Sequence, residues 1–217
     1  MTTTHLSFSS AALKTPRAAA VAGILFALLY GASLVLIRVS VPPDLAAERT
    51  WLETNGGQVA LALNMAPFAG IAFLWFIGVI RDRIGDLEDR FLGSVFHGSG
   101  LLFLALSFAS AAVAGGLVTA YSIQGQAIVE SETYTYGRAV MYVFGNTYAN
   151  RMAGVFMISF ATIALRTGVM SRTWAIVTYV LALVLLLSIG YTLWVTLVFP
   201  AWVLAISVLF LIFEKRS

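Results

Sequence analysis

Six long apolar stretches fill most of this chain, and its charged residues fall almost entirely in the gaps between them. A helix rising ~1.5 Å per residue needs about 20 apolar residues to cross a hydrocarbon core ~30 Å thick. Charge is costly in that core and collects at its boundaries. The pattern predicts an all-α, polytopic membrane protein: a six-transmembrane-helix bundle with both termini on the cytoplasmic side. Only 11% of the residues are charged and 60% are hydrophobic, against roughly 25% charged in soluble domains. Six spans and short loops use up the 217 residues, leaving no room for a soluble catalytic domain.

The expected spans are 18–37, 58–80, 91–121, a fourth that begins between Arg138 and Asn146 and ends near Leu165, and two within 173–213. That last stretch carries no charge and, at about 41 residues, is too long for one crossing. It must fold back at Ser188-Ile189-Gly190-Tyr191-Thr192, which leaves Pro200 inside the sixth span. Residues 1–17 are expected as a disordered cytoplasmic tail, 18–213 as one transmembrane domain and 214–217 as a cytoplasmic tail. Lys14, Arg17 and Gly31-Ala32-Ser33 have the look of a signal peptide. The apolar run is longer than an ordinary signal core, so an uncleaved first helix is expected.

Orientation follows from the cations. With the N-terminus inside, the inner segments hold Lys14, Arg17, Arg81, Arg83, Arg90, Arg166, Arg172, Lys215 and Arg216, and the outer ones only Arg38, Arg49 and Arg138. This excess marks the cytoplasmic face of a bacterial-type inner membrane. Trp75 and Trp174 fall at the inner interface, Trp51 and Trp194 at the outer one. A short surface helix is expected from Pro42-Pro43-Asp44 through Glu53, with Asp44 as N-cap. The outer segment 122–137, rich in Gln, Glu and Tyr, reads as a solvated loop, with a cap over the bundle as the other reading.

Few positions carry chemistry. Arg151 precedes Arg166 by about 15 residues, or ~22 Å of helix, so it lies inside the fourth span. With Asn64, Asn146, Tyr148 and Asn150 it forms a candidate outward-facing polar cavity; the competing reading is an Arg151 that snorkels to the surface or fixes the loop through Glu130 or Glu132. Ala19, Gly23, Ala27 and Gly31 recur every four residues and form a candidate helix-packing face. His97, seven residues into the third span, reads as a hydrogen-bonded structural histidine. The ten carboxylates lie outside the spans, and no Cys, zinc-type histidine pair, Gly-x-Ser-x-Gly or phosphate loop is present. No enzyme, cofactor or metal site is therefore expected, and the net charge of +3, spread over separate segments, does not indicate nucleic acid.

Two local resemblances stand out. Gly78-Val79-Ile80-Arg81-Asp82-Arg83-Ile84-Gly85 resembles the loop between spans 2 and 3 of major facilitator transporters, G-x-x-x-D-R-x-G. It covers about eight residues, and Asp86-Leu87-Glu88 stand where that family has basic residues. The stretch from Leu165 through Gly168, Arg172 and Trp174 to Tyr179-Val180-Leu181-Ala182 is similar to a helix–turn–helix pattern of an uncharacterised bacterial family of multi-pass integral membrane proteins. It implies a fold and no activity. The expected function is a non-enzymatic membrane protein acting through packing, oligomerisation or partner binding. Its partners would be the lipid bilayer and a second copy or another membrane protein. The alternative is a small transporter or channel for a small, anionic solute held near Arg151.

Overall fold

The computed structural model describes residues 16–42, 51–84, 90–188 and 193–214. The Asp44 N-cap, the loop residues 85–89, the turn residues 189–192 and the tail residues 1–15 and 215–217 lie outside the described residues. The described chain is helical throughout. The elements are α1 (Pro16–Ser40), α2 (Trp51–Thr54), α3 (Gly56–Ile84), α4 (Arg90–Gln124), α5 (Gln126–Val129), α6 (Glu132–Tyr142), a π-helical segment (Val143–Ala149), α7 (Asn150–Arg166), α8 (Arg172–Leu187), a 3-10 turn (Leu193–Leu197) and α9 (Val198–Glu214). Five helices are long and apolar enough to cross a membrane: α1, α3, α4, the run from α6 to α7, and α9. The sixth, α8, is apolar but has 16 residues, ~24 Å at 1.5 Å per residue. Val21, Leu25, Leu28, Phe68, Ile71 and Trp75 are exposed, an outward apolar surface suited to lipid rather than water.

Neighbouring helices run antiparallel. Against α4, the α6–α7 run places Gly137 on Leu117, Gly145 on Ser110 and Phe156 on Gly100; a methyl on any of these glycines would lie 2.8–3.1 Å from the facing side chain. Helix α1 packs between α3 and α9. Ala19, Gly23 and Ala27 are buried in that contact, and a side chain at Gly23 would strike Ser207 of α9 and Phe76 of α3. The small-residue face is thus used within the bundle, whereas Gly31 has open space beside it. The centre is aromatic: Phe26, Phe73, Phe103, Phe156 and Phe199 pack with centroids 4.6–6.3 Å apart. Such pairs contribute ~0.5–1.5 kcal/mol each beyond their area, which counts in lipid because burial of apolar area does not drive helices together there. Pro200 sits in the first turn of α9, where the missing N–H needs no helical partner. Gly168, with φ 71°, ends the turn after α7, and the Met170 N–H donates back to the Ala164 carbonyl at 3.1 Å.

The segment 122–137 takes the second of its two readings: it is helical and caps the bundle, burying Ile128, Val129, Tyr134 and Gly137 while most of its other residues stay exposed. Gly125, at φ 58°, breaks α4 from α5, and Ser131 caps α6 by accepting from the Tyr134 N–H at 3.3 Å. Ile128, Val129 and Tyr134 then pack with Trp51, Leu52, Val59 and Leu117. Trp51, expected in an interfacial belt, is 2% exposed and its indole N–H donates to Tyr134 Oη at 2.6 Å. Arg138, counted as an outer-loop cation, is 4% exposed. Its guanidinium stands 5.7 Å from the Trp51 ring centroid and donates to the Pro42 carbonyl at 2.9 Å. The physical reason is shared: each residue finds its partner far along the chain, where local composition gives no sign of it.

Candidate functional site

Between this cap and the aromatic centre lies a cavity of ≈80 Å³. Its floor is Phe26 and Phe103 of the aromatic cluster. Its roof is Ile37 and Leu63, which also pack against the cap. The walls come from α1, α3, α4, the end of α6, the π segment and Thr196 of the 3-10 turn.

Most polar groups on the walls are already paired. Tyr30 Oη and Ser107 Oγ are 3.2 Å apart. Ser33 Oγ donates to the Ala62 carbonyl at 2.8 Å, and Ser110 Oγ to the Met141 carbonyl at 2.8 Å. Arg38 differs. Its Nη2 donates to Asn146 Oδ1, yet its Nε is buried with no hydrogen-bond partner. A guanidinium has five N–H donors, cannot lose its charge and costs most where it is dry and unpaired. No carboxylate lines the cavity among the described residues. The arrangement presents an unneutralised cationic fork to a mostly apolar space.

The π segment positions the partner of Arg38. Such wide turns are frequent at functional sites. Side-chain amides brace the helix there: Asn146 Nδ2 donates to the Tyr142 carbonyl at 3.2 Å and Asn150 Nδ2 to the Asn146 carbonyl at 2.9 Å. With its amide nitrogen so held, Asn146 turns its oxygen to Arg38. Gly145 lets this segment approach Ser110 closely.

Of the five residues expected around a polar cavity, Asn146 lines it and the others do not. Asn64 is exposed on the same stripe of α3 as Leu61, Phe68, Ile71 and Trp75. It satisfies itself by donating to the Ala60 carbonyl at 2.9 Å. Tyr148 is exposed, Asn150 is buried as a brace, and Arg151 is half-buried outside the lining. The cavity cation is Arg38, which sequence reasoning assigned to a loop. A signal was available: Val39 and Val41 continue the apolar pattern past Arg38, so that arginine lies within its helix and not beyond it. His97, expected to be hydrogen-bonded, has a buried Nδ1 with no partner. No protein-family model, curated protein or solved structure matches this chain.

Proposed function

We propose that this is a six-span, non-enzymatic inner-membrane protein, both termini cytoplasmic, that binds an anionic group at Arg38. The single observation that carries the reading is the buried Arg38 Nε without an acceptor at the wall of a cavity; Arg138 Nε is likewise unpartnered but lines no such space. An arginine near a helix end ordinarily extends to the interface, whereas Arg38 turns its Nε to a buried place with no acceptor. The side of the fork bearing Nε suits a carboxylate or phosphate oxygen pair, taken by two parallel hydrogen bonds.

Depth supports it. Arg81, Arg90, Arg166 and Arg172 are exposed at one end of the bundle, the end assigned to the cytoplasm by its excess of arginine. Counting about 20 residues, or ~30 Å, from Arg17, Arg81, Arg90 and Arg166 arrives at Ile37, Leu61, Ser110 and Asn146. Arg38 and Asn146 then lie at the outer edge of the hydrocarbon, where an anionic head would sit. The cap is the part of α4 and α6 that rises beyond that edge. This explains why the α4 and α6–α7 helices each run 35 residues.

The test is native mass spectrometry of the protein purified from its membrane, as wild type and as Arg38→Gln. An anionic adduct on the wild type and its loss from the variant is the expected result. Equal adducts on both, or none on either after addition of carboxylates and phosphates of all chain lengths, would sink the anion site.

A further inference from the structure

We infer that the anion is the head of a single-chain amphiphile that enters sideways from the bilayer, between α3 and α4. This deepens the proposed function and rests on Arg38 as an anion site. Leu63, Ala66, Phe108 and Ala111 line the cavity and also line a wider crevice, ≈270 Å³, which Pro67 and Ala112 complete. That volume approaches the lower end of small-molecule sites, about 300 Å³.

The crevice is where a lipid-phase ligand would arrive. Phe108 and Ala112 are exposed on it, as is Pro67. Every side chain lining it is apolar, so it offers nothing to a hydrated ion and an equal exchange to an acyl chain. Proline at 67 removes the helical N–H that would serve the Leu63 carbonyl, so α3 is locally less constrained beside the opening. The Phe108 ring forms part of the partition between crevice and cavity, and it rests on Gly70; a side chain at Gly70 would overlap it. Rotation of that ring would widen the passage between the two spaces.

Among the described residues, the cap lies over the roof of the cavity. A solute from the aqueous side would meet Trp51, Leu52 and Tyr134, all buried in the cap, and the Arg138 bond to the Pro42 carbonyl. The charge of Arg38 selects an anionic head over a neutral one. The apolar crevice selects a chain over a free ion. The chain itself gains little on leaving lipid for an equally apolar groove. It serves to confine the ligand to the membrane plane with its head at the depth of Arg38.

The experiment uses the full chain in phosphatidylcholine nanodiscs, as wild type, Arg38→Gln and Ala112→Trp. Each is titrated with oleate, oleyl alcohol, acetate and inorganic phosphate. Ala112 is exposed and lines the crevice but not the cavity, so its substitution fills the groove that the bound chain would occupy without touching the head site; thermal unfolding of each variant verifies that it is folded. Oleate should bind the wild type saturably. Binding should weaken roughly tenfold or more with oleyl alcohol and in Arg38→Gln, the loss expected for one charge-assisted pair, and also in Ala112→Trp. Acetate and phosphate should show no saturable binding. Acetate or phosphate binding that depends on Arg38, with Ala112→Trp indifferent to oleate, would overturn the lateral amphiphile and leave the anion site standing. Oleate bound equally by wild type and Arg38→Gln would overturn both.

Discussion

Gly23→Ala tests how the bundle is held together. A methyl there would overlap Ser207 Oγ and lie 2.8 and 2.9 Å from Cδ2 and Cε2 of Phe76. The serine hydroxyl has no partner and can rotate away at little cost. Phe76 cannot. It is fully buried and stacked at 6.2 Å on Phe73, a member of the aromatic centre. Carbon atoms settle ~3.5–4.0 Å apart, so the ring must retreat by more than half an ångström or α1 must move off α3. Overpacking of this kind costs ~1–3 kcal/mol. Unfolding by SDS titration in mixed micelles should show that loss for Gly23→Ala. Phe76→Leu makes room, so the double variant should be more stable than the sum of the two single effects by at least ~0.5 kcal/mol. A Gly23→Ala protein within ~0.3 kcal/mol of wild type, or strict additivity with Phe76→Leu, would mean that the α1–α3 contact is not the close one described.

Buried Arg138 and half-buried Arg38 should respond in opposite ways. Arg138→Met removes the bond to the Pro42 carbonyl and the stacking on Trp51 and should cost ~2–3 kcal/mol in the same titration; Arg38→Met removes an unneutralised charge and should unfold no earlier than wild type. Tyr134→Phe strips the Trp51 indole of its acceptor and should cost ~1–3 kcal/mol, with a shift in tryptophan emission that marks the cap as the loosened part. Reporter fusions after Arg83, Arg172 and Arg216 should report cytoplasm and those after Gly56 and Glu132 the outer side; a cytoplasmic signal at Glu132 would refute the six-span topology.

What the sequence made legible follows from how local each signal is. The apolar runs are local, and the helices at 16–40, 56–84 and 90–124 enclose the first three spans read from them, while the sixth run is a 3-10 turn at 193–197 followed by the helix at 198–214. The depth of Asn64 was readable too, but its azimuth was not. Helix α3 is apolar all round, so the spacing of its side chains does not tell which side meets lipid. The burial of Arg138 and Trp51 was not readable because their partners lie 96 and 83 positions away. A count of cations cannot separate an arginine that marks a membrane boundary from one folded into a cap. The π segment was invisible for another reason: a one-residue widening of helical turns leaves no imprint on composition. Arg38 emerged only when α1, the α6–α7 run and the cap were seen to enclose one space.

The packing of α1 between α3 and α9 also has a consequence in time. Of the described helices, α1 is made first and α9 last. Until α9 arrives, Gly23 has its neighbour on one side only, and the groove that Phe199, Trp202 and Val203 fill stands open to lipid. The nascent protein therefore passes through synthesis as an unclosed ring whose final stave carries part of the hub. Chains stalled or cut before α9 should fare worse than their missing length suggests, because they lose the piece that locks the first helix in place, and membrane proteases should find them by that open seam.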